Sequence, residues 1–361
     1  MRFTLIIFLF FYSISTSYCQ DLMNKNDSLF IDSINKLNLN NKKLILFENK
    51  YNEAIDQFNL GKLNNAISLL SECVKLDSTN ANSYFLLSKC YYDIDLKFEF
   101  LHNIKKALFF DSSNVFYISE IGNYYRSVRK NDSANFYYDI IIENFPNFSD
   151  VFYWKSLINI KNEDYSNALD NINKAINIEE KDYFFHERAG IYRKQKNFNK
   201  SLSDYKICIK MNNKSPLYYN NIASLYRAIG TLDSSIYFYN KSITLDKQNK
   251  LSFNNRGEVL LENGDIDNAK KDFTKSLEID SIYTLALNNL SICFYNSNDL
   301  AKTIELLNKC IEINPNFVAA LINRGIYYQT VRDEKKACED WKIASKLGSE
   351  LAKKFINNDC Y

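Results

Sequence analysis

Between Ile118 and Pro146 the chain reads ISEIGNYYRSVRKNDSANFYYDIIIENFP. Gly122, Tyr125, Ala134, Tyr138, Ile141 and Pro146 punctuate this stretch, and residues of the same kinds recur along the whole sequence at the same spacing. Aligned with Ala134 are Ala66, Phe100, Ala168, Ser201, Ser235, Ala269, Thr303 and Ala337, in steps of 34 residues apart from a single step of 33. Aligned with Gly122, twelve residues ahead, are Ala54, Ser88, Ser156, Ala189, Ala223, Gly257, Ser291 and Gly325. Every member of the second ladder is Ala, Ser or Gly. Only Phe100 is bulky in the first. A fixed period in this range marks a stack of short supersecondary units, and this one suits a helix–turn–helix.

Each unit then needs two antiparallel helices, A and B, that approach closely. Small residues facing each other remove the bulk that would hold the pair apart. Four residues beyond each small helix B position stand Leu70, Ile104, Tyr138, Ile172, Tyr205, Tyr239, Phe273, Leu307 and Trp341; three residues further the chain is again mostly small, as at Cys73, Ala107, Ala175 and Cys208. Steps of four and three keep all of these on one helix face. The punctuation agrees with this register. Pro146 and Pro315 follow helix B, Pro216 opens a helix A, and Gly61, Gly230 and Gly264 share the turn between the two helices, where positive φ suits glycine. The reading is an all-α, right-handed superhelical solenoid of about nine repeats with a capping helix at its C-terminal end.

On these residues the chain resembles tetratricopeptide repeat proteins. The likeness is plainest in Gly122, Tyr125, Ala134, Tyr138, Ile141 and Pro146, and recurs in Leu287, Asn289, Leu290, Ser291, Phe294, Thr303, Leu307, Cys310 and Pro315. It covers nine repeats, from about Phe47 to Leu351. Repeat two departs most, and Phe100 predicts an altered A–B packing there.

The domain reading is a signal peptide over residues 1–19, an N-terminal capping segment over 20–46, the solenoid over 47–349, and a capping helix and tail over 350–361. Arg2 precedes an apolar run from Leu5 to Ile14, with Ser17 and Cys19 at a small-residue cleavage pattern. Two readings of Cys19 stand: simple cleavage after it, or lipidation making it a membrane anchor. Tyr18 fits a lipoprotein signal poorly, which favours simple cleavage. The apolar run is too short for a membrane span. In the capping segment Phe30, Ile31, Ile34 and Leu37 have helical spacing; in the C-terminal cap Leu351, Phe355 and Ile356 are the apolar positions. The expected address is exported, either periplasmic or at the cell surface.

With 45 Lys and Arg against 43 Asp and Glu, net charge is +2, so no global field draws nucleic acid or a membrane surface. Cys73, Cys208 and Cys310 fall at the small position of helix B, and Cys90 and Cys293 near the inner face of helix A. All five read as buried small side chains. Cys338 and Cys360 differ. A hairpin centred near Leu347-Gly348 sets residue 338 opposite about residue 358, close enough for a disulfide, and the two thiols stand as either bonded or free. The tail Ala337-Cys338-Glu339-Asp340-Trp341 with a terminal Cys360 also resembles exported repeat proteins of Bacteroidetes-like bacteria, a likeness that implies the bond and the exported address. His102 and His186 are in repeats two and five with no metal-ligand spacing, and no catalytic motif or phosphate-cradling loop is present, so neither an enzyme nor a cofactor is expected.

In such a stack helix A lines the concave face. Arg126, Arg193 and Arg227 occupy the same helix A position in repeats three, five and six, Lys161 and Lys194 lie one residue beyond it, and Asn220, Asn254 and Asn288 form a one-per-repeat amide row. This predicts a basic stripe with hydrogen-bonding amides, suited to an extended acidic segment of a protein partner. The resemblance also offers a chaperone-tail receptor, but Ser119 stands where that version places a Lys. A second reading is a glycan or cell-wall binding module using Phe58, Phe85, Tyr92, Tyr153, Tyr183 and Tyr295.

Overall fold

The structure, a computed structural model, describes residues 32–33 and 36–360. The expected signal segment with Cys19, together with Phe30, Ile31 and Ile34, lies outside the described residues. All regular structure among the described residues is helical. Cα packing divides the chain into two compact units that meet between Trp154 and Lys155.

The first unit carries α1 (continuous over residues 36–59), α2 (Leu63–Leu76), α3 (Ala81–Asp93), α4 (Lys97–Phe110), α5 (Val115–Ser127), α6 (Asn131–Asn144) and the start of α7 (Ser149–Lys161). The second carries the end of α7, then α8 (Tyr165–Ile178), α9 (Asp182–Lys194), α10 (Phe198–Met211), α11 (Pro216–Ile229), α12 (Leu232–Leu245), α13 (Lys250–Glu262), α14 (Ile266–Ile279), α15 (Thr284–Asn296), α16 (Leu300–Ile313), α17 (Val318–Thr330), α18 (Glu334–Lys346) and the capping helix α19 (Glu350–Asp359). Odd-numbered helices through α17 are helix A of their repeats and even-numbered ones helix B, which gives the nine expected pairs.

The turns explain how chemically different sequences keep one geometry. Seven residues beyond the small helix A position the backbone is left-handed in every repeat. Gly61, Gly230 and Gly264 take that place with φ of 71°, 87° and 82°; Asp95, Arg129, Glu163, Lys196, Asn298 and Arg332 take it at 59–63°. Glycine is therefore the easy occupant but not a required one. The six others adopt a conformation that costs an L-residue about 1–2 kcal/mol, offset by helix-terminating bonds such as Lys130 N–H to Tyr125 O at 2.9 Å and Arg129 N–H to Arg126 O at 3.1 Å. Pro216 sits in the first turn of α11, as expected.

The two ladders face each other. Ser201 Oγ donates to Ala189 O at 2.8 Å, Ser235 Oγ to Ala223 O at 2.9 Å, and Ser156 Oγ to Ala168 O at 2.9 Å. Each bond joins residues twelve apart, one on each helix of a repeat. The large helix B residue then slides under the small helix A residue. A Cβ on Gly122 would lie 2.6 Å from Tyr138 Cε1, one on Gly257 2.7 Å from Phe273 Cε1, and one on Gly325 2.2 Å from Trp341 Nε1. These glycines are there for close approach, not for backbone freedom. Further along helix B, Cys208 Sγ and Cys310 Sγ reach Asp182 O and Thr284 O at 3.2 and 3.4 Å, as Ser242 Oγ and Ser276 Oγ reach Pro216 O and Lys250 O. Cys208 and Cys310 thus place their thiols on first-turn carbonyls of helix A, where the sister repeats place a serine hydroxyl. Burial pushes the Cys208 thiol up to about 12 and those of Cys90, Cys293 and Cys310 up to about 11.

Repeat two keeps its A–B pairing despite Phe100. The ring is fully buried, edge-on to Tyr92 at 5.3 Å and tilted against Tyr124 at 5.0 Å, while Ile104 replaces the aromatic one turn later.

The two ends differ from expectation in detail. At the N-terminal end α1 runs unbroken from residue 36 into repeat one, because nothing between Lys36 and Phe58 interrupts a helix, and Leu37 is exposed. At the other end α19 caps the stack as expected, through Ala352 and a 4.8 Å stack of Phe355 on Trp341, but Leu351 faces outward. A disulfide joins Cys338 to Cys360 and ties α19 to α18.

The ring-under-glycine contact is directly testable. Gly325→Ala should lower stability by about 1–3 kcal/mol, the usual scale of overpacking, read as a fall in thermal midpoint by circular dichroism. In that background Trp341→Leu should cost clearly less than it does in the native chain. Equal costs in both backgrounds would show that the ring and the glycine are not coupled.

Candidate partner-binding groove

The expected groove cations fall into three states. In the first unit Arg126 is half-buried and turned onto its own repeat: its Nε donates to Tyr138 Oη at 3.2 Å and its Nη2 to Asn123 Oδ1 at 3.3 Å, while Tyr138 Oη donates to Asn123 Oδ1 at 2.9 Å. Burial pushes the Tyr138 phenol up to about 12 against the opposing charge of Arg126. In the second unit Arg227 is clamped by Glu262, with Nε at 3.0 Å from both carboxylate oxygens, and by Glu258. Burial works against its charge, but the two carboxylates outweigh it and hold the guanidinium above its ordinary range. Lys161, Arg193 and Lys194 make no ion pair or hydrogen bond among the described residues; Lys161 and Lys194 are exposed and Arg193 is half-buried. Arg227 therefore departs from the expectation of a free cation, because Glu258 and Glu262 of the next repeat reach it first.

The amide row also differs from its expected role. Asn254 and Asn288 are buried, at 1% and 5% exposure. Asn220 Oδ1 accepts from Asn255 Nδ2 at 3.3 Å, Asn254 Oδ1 from Asn289 Nδ2 at 3.1 Å, and Asn288 Oδ1 from Asn323 Nδ2 at 2.8 Å. His186 Nε2 meets Asn221 Nδ2 in the same way at 2.7 Å. Each bond spans 35 residues, so the row stitches one helix A to the next. Its position faces the neighbouring helix more than the solvent. The signal was visible as paired amides, Asn220-Asn221, Asn254-Asn255 and Asn288-Asn289, of which only the first members were singled out.

The aromatics are largely engaged. Phe85 packs on Tyr117 at 5.0 Å, Tyr183 on Phe184 at 4.6 Å, and Tyr295 Oη bonds Thr330 Oγ1 at 2.8 Å. Phe58 and Tyr153 are half-buried, and Tyr92 is 48% exposed with an edge on Phe100.

A set of buried charges was not singled out at all. Asp204, Asp272 and Asp340 are 3–5% exposed. Each receives both arms of one guanidinium: Arg188 on Asp204 at 2.8 and 2.9 Å, Arg256 on Asp272 at 2.7 and 2.6 Å, and Arg324 on Asp340 at 2.8 Å twice. The third arm reaches Asn173, Asn240 or Asn308 of the preceding helix B. Hydrogen bonding to the carboxylates raises the pKa of Arg188 and Arg324. Both oxygens of each carboxylate are occupied, so these acids are placed to hold the fold and not to move a substrate proton. The clamps recur every 68 residues, in alternate repeats; Ile222 and Leu290 take the Arg position in between, with Phe238 and Leu306 opposite. A search at twice the basic period would have found them. No cluster of three His, Cys, Asp or Glu suited to a metal occurs among the described residues, and no described helix is long and apolar enough to cross a membrane.

Residues 217–249, 252–283 and 285–317, which hold repeats six to eight, match the Tetratricopeptide repeat family profile. These segments are tetratricopeptide repeats. Solved structures with the same architecture include the Cut9–Hcn1 hetero-tetramer of the APC/C, at 11% identity over 86% of this chain and 76% of that one, with a TM-score of 0.54. The C-terminal part of a tetratricopeptide protein from Cytophaga hutchinsonii matches at 16% identity over 67% of this chain and 98% of that one, TM-score 0.51. Pseudomonas aeruginosa PilF matches at 14% over 58% and 96%, TM-score 0.50. At these identities the likeness is one of fold. Comparison with curated proteins gives no match.

The alternating clamps of the stack make a quantitative prediction. Asp272→Ala should destabilise by about 3–5 kcal/mol, because it strands the Arg256 charge. Replacing Arg256 and Asp272 together by Leu, the pairing already present at Leu290 and Leu306, should recover most of that loss in chemical denaturation. A double variant no more stable than Asp272→Ala would contradict this reading.

Proposed function

We propose that this chain is a non-catalytic scaffold that grips an extended, acidic segment of a protein partner along the inner face of its helices A. The observation that carries the reading is the state of Lys161, Arg193 and Lys194. They sit on successive helices A, and none is neutralised by a neighbour among the described residues. A protein can fix a charge of this kind at little cost by pairing it, as Arg227 is paired with Glu258 and Glu262. Three unpaired cations in a row are what an anionic ligand would use. The amide struts and Arg–Asp clamps support the reading in another way. They hold adjacent repeats in fixed register, so a partner segment meets a surface that is already ordered and the receptor loses little entropy on binding.

The absence of an enzymatic role is part of the proposal. It is supported by the full engagement of Asp204, Asp272 and Asp340 and by an inner face built from amides and aromatics. An exported location, periplasmic or at the cell surface, is also proposed. It rests on the signal-like first nineteen residues and on the Cys338–Cys360 bond, which suits an oxidising compartment.

The test uses a chain beginning at Gln20 and a fluorescent octaglutamate probe, followed by anisotropy. The native chain should bind it, and the affinity should fall as salt rises. Lys161→Glu, Arg193→Glu and Lys194→Glu together should weaken binding by about tenfold or more, near 1.4 kcal/mol. Arg227→Ala should weaken it little, since that guanidinium is already neutralised. Unchanged binding in the triple reversal would refute the cation-led groove.

A further inference from the structure

Within the second unit, repeats five to nine place Tyr205, Tyr239, Phe273, Leu307 and Trp341 beneath the small residue of helix A. Four of these are rings, and Leu307 is not. Beside Leu307 a cavity of about 230 Å³ opens on the inner face between α15 and α17, over α16. Leu307 and Thr303 lie at its floor, and Ile292, Ile326 and the Tyr295 ring form its walls.

The polar groups around the cavity are already paired. Thr303 Oγ1 donates to Asp299 O at 2.7 Å and Ser291 Oγ to Asn288 O at 2.6 Å. Tyr295 Oη is held by Thr330 Oγ1, and Asn323 Nδ2 donates to Asn288 Oδ1. The interior therefore presents mostly carbon, and no charged side chain lines it. Such a space takes an apolar group more readily than water. Its volume and carbon lining suit one apolar side chain, and an aromatic ring is the residue at the Leu307 position in repeats five, six, seven and nine, whereas repeats one, two and four carry Leu70, Ile104 and Ile172 there.

One repeat toward the N-terminal side, Arg227 is shared by Glu258 and Glu262. Two carboxylates on one guanidinium leave a residual negative charge, with Glu262 44% exposed at its side chain. Adjacent helices A lie about 10 Å apart, so α13 is about 15 Å from the mouth between α15 and α17, a distance an extended chain spans in about five residues. We propose that the repeat-eight cavity is a specificity pocket for one aromatic side chain of an extended partner segment, with a Lys or Arg about five residues away that meets the Glu258–Glu262 pair. This deepens the scaffold reading and rests on it in one respect, that the inner face holds an extended chain. It uses none of Lys161, Arg193 or Lys194.

The probes are acetylated, amidated Gly/Ser heptapeptides carrying one Phe and one Lys five residues apart, made in both orders, with matched peptides in which Phe is Ala or Lys is Glu. Titrated against the chain from Gln20 onward by calorimetry, one order should bind about tenfold tighter than its Ala counterpart, consistent with burial of one ring. The Glu version should bind several-fold more weakly than the Lys version. Leu307→Phe supplies the missing ring, so it should remove the Phe advantage and raise the thermal midpoint. Asn296→Trp, at an exposed position on the rim, should cover the mouth and remove the Phe advantage without touching the core. No Phe advantage in either order, or one that survives both variants, overturns the pocket. Octaglutamate binding should be unchanged in Leu307→Phe. If octaglutamate fails to bind while the Phe advantage holds, the cation-led groove falls and the pocket stands.

Discussion

The structure depends on one contact, repeated: a large helix B side chain pushed under a helix A residue with almost no side chain of its own. Trp341 beneath Gly325 and Phe273 beneath Gly257 leave no space for even a methyl group. Removing bulk from one helix lets the other supply it, so apolar area is buried without parting the backbones. The serine hydroxyls that bridge to helix A carbonyls twelve residues away show how close the backbones come. Everything on the inner face inherits its position from this contact.

A second layer of order is laid over the first. Hydrogen bonds between amide side chains 35 residues apart hold helix A to helix A, while Arg–Asp–Asn clamps in repeats five, seven and nine hold the helix A of each to two helices B. Since buried ion pairs are weak sources of net stability, the alternation of Arg256–Asp272 with Leu290–Leu306 suggests that what the clamps supply is register. The same economy shapes the inner face. Charges that could pair across repeats have done so at Arg227, and those without an opposite neighbour remain at Lys161, Arg193 and Lys194.

The fold was legible because its determinants are local and periodic. Two ladders of small residues, three prolines and three glycines fixed the repeat number and the helix pairing, and the structure keeps that register through all nine repeats. Most of the six non-glycine residues in left-handed turns were not legible: Arg129, Glu163, Lys196 and Arg332 carry no signature of that conformation, which is imposed by the helices on either side. The site was legible only in part. Position along helix A singled out Arg227, Asn254 and Asn288, but what each one touches is set by residues 31 to 35 positions away. One-residue-at-a-time reading sees a free amide where the next repeat supplies a partner. The buried clamps were missed for a related reason, since their period is twice that of the fold.

The most direct test of the central contact is amide hydrogen exchange on Phe273→Ala beside the native chain. If each ring secures its own repeat and its immediate neighbours, exchange should accelerate in α13 and α14, extend to α12 and α15, and leave α9 and α10 as protected as before. Acceleration spread evenly over α9 to α18, or none at all, would contradict the account.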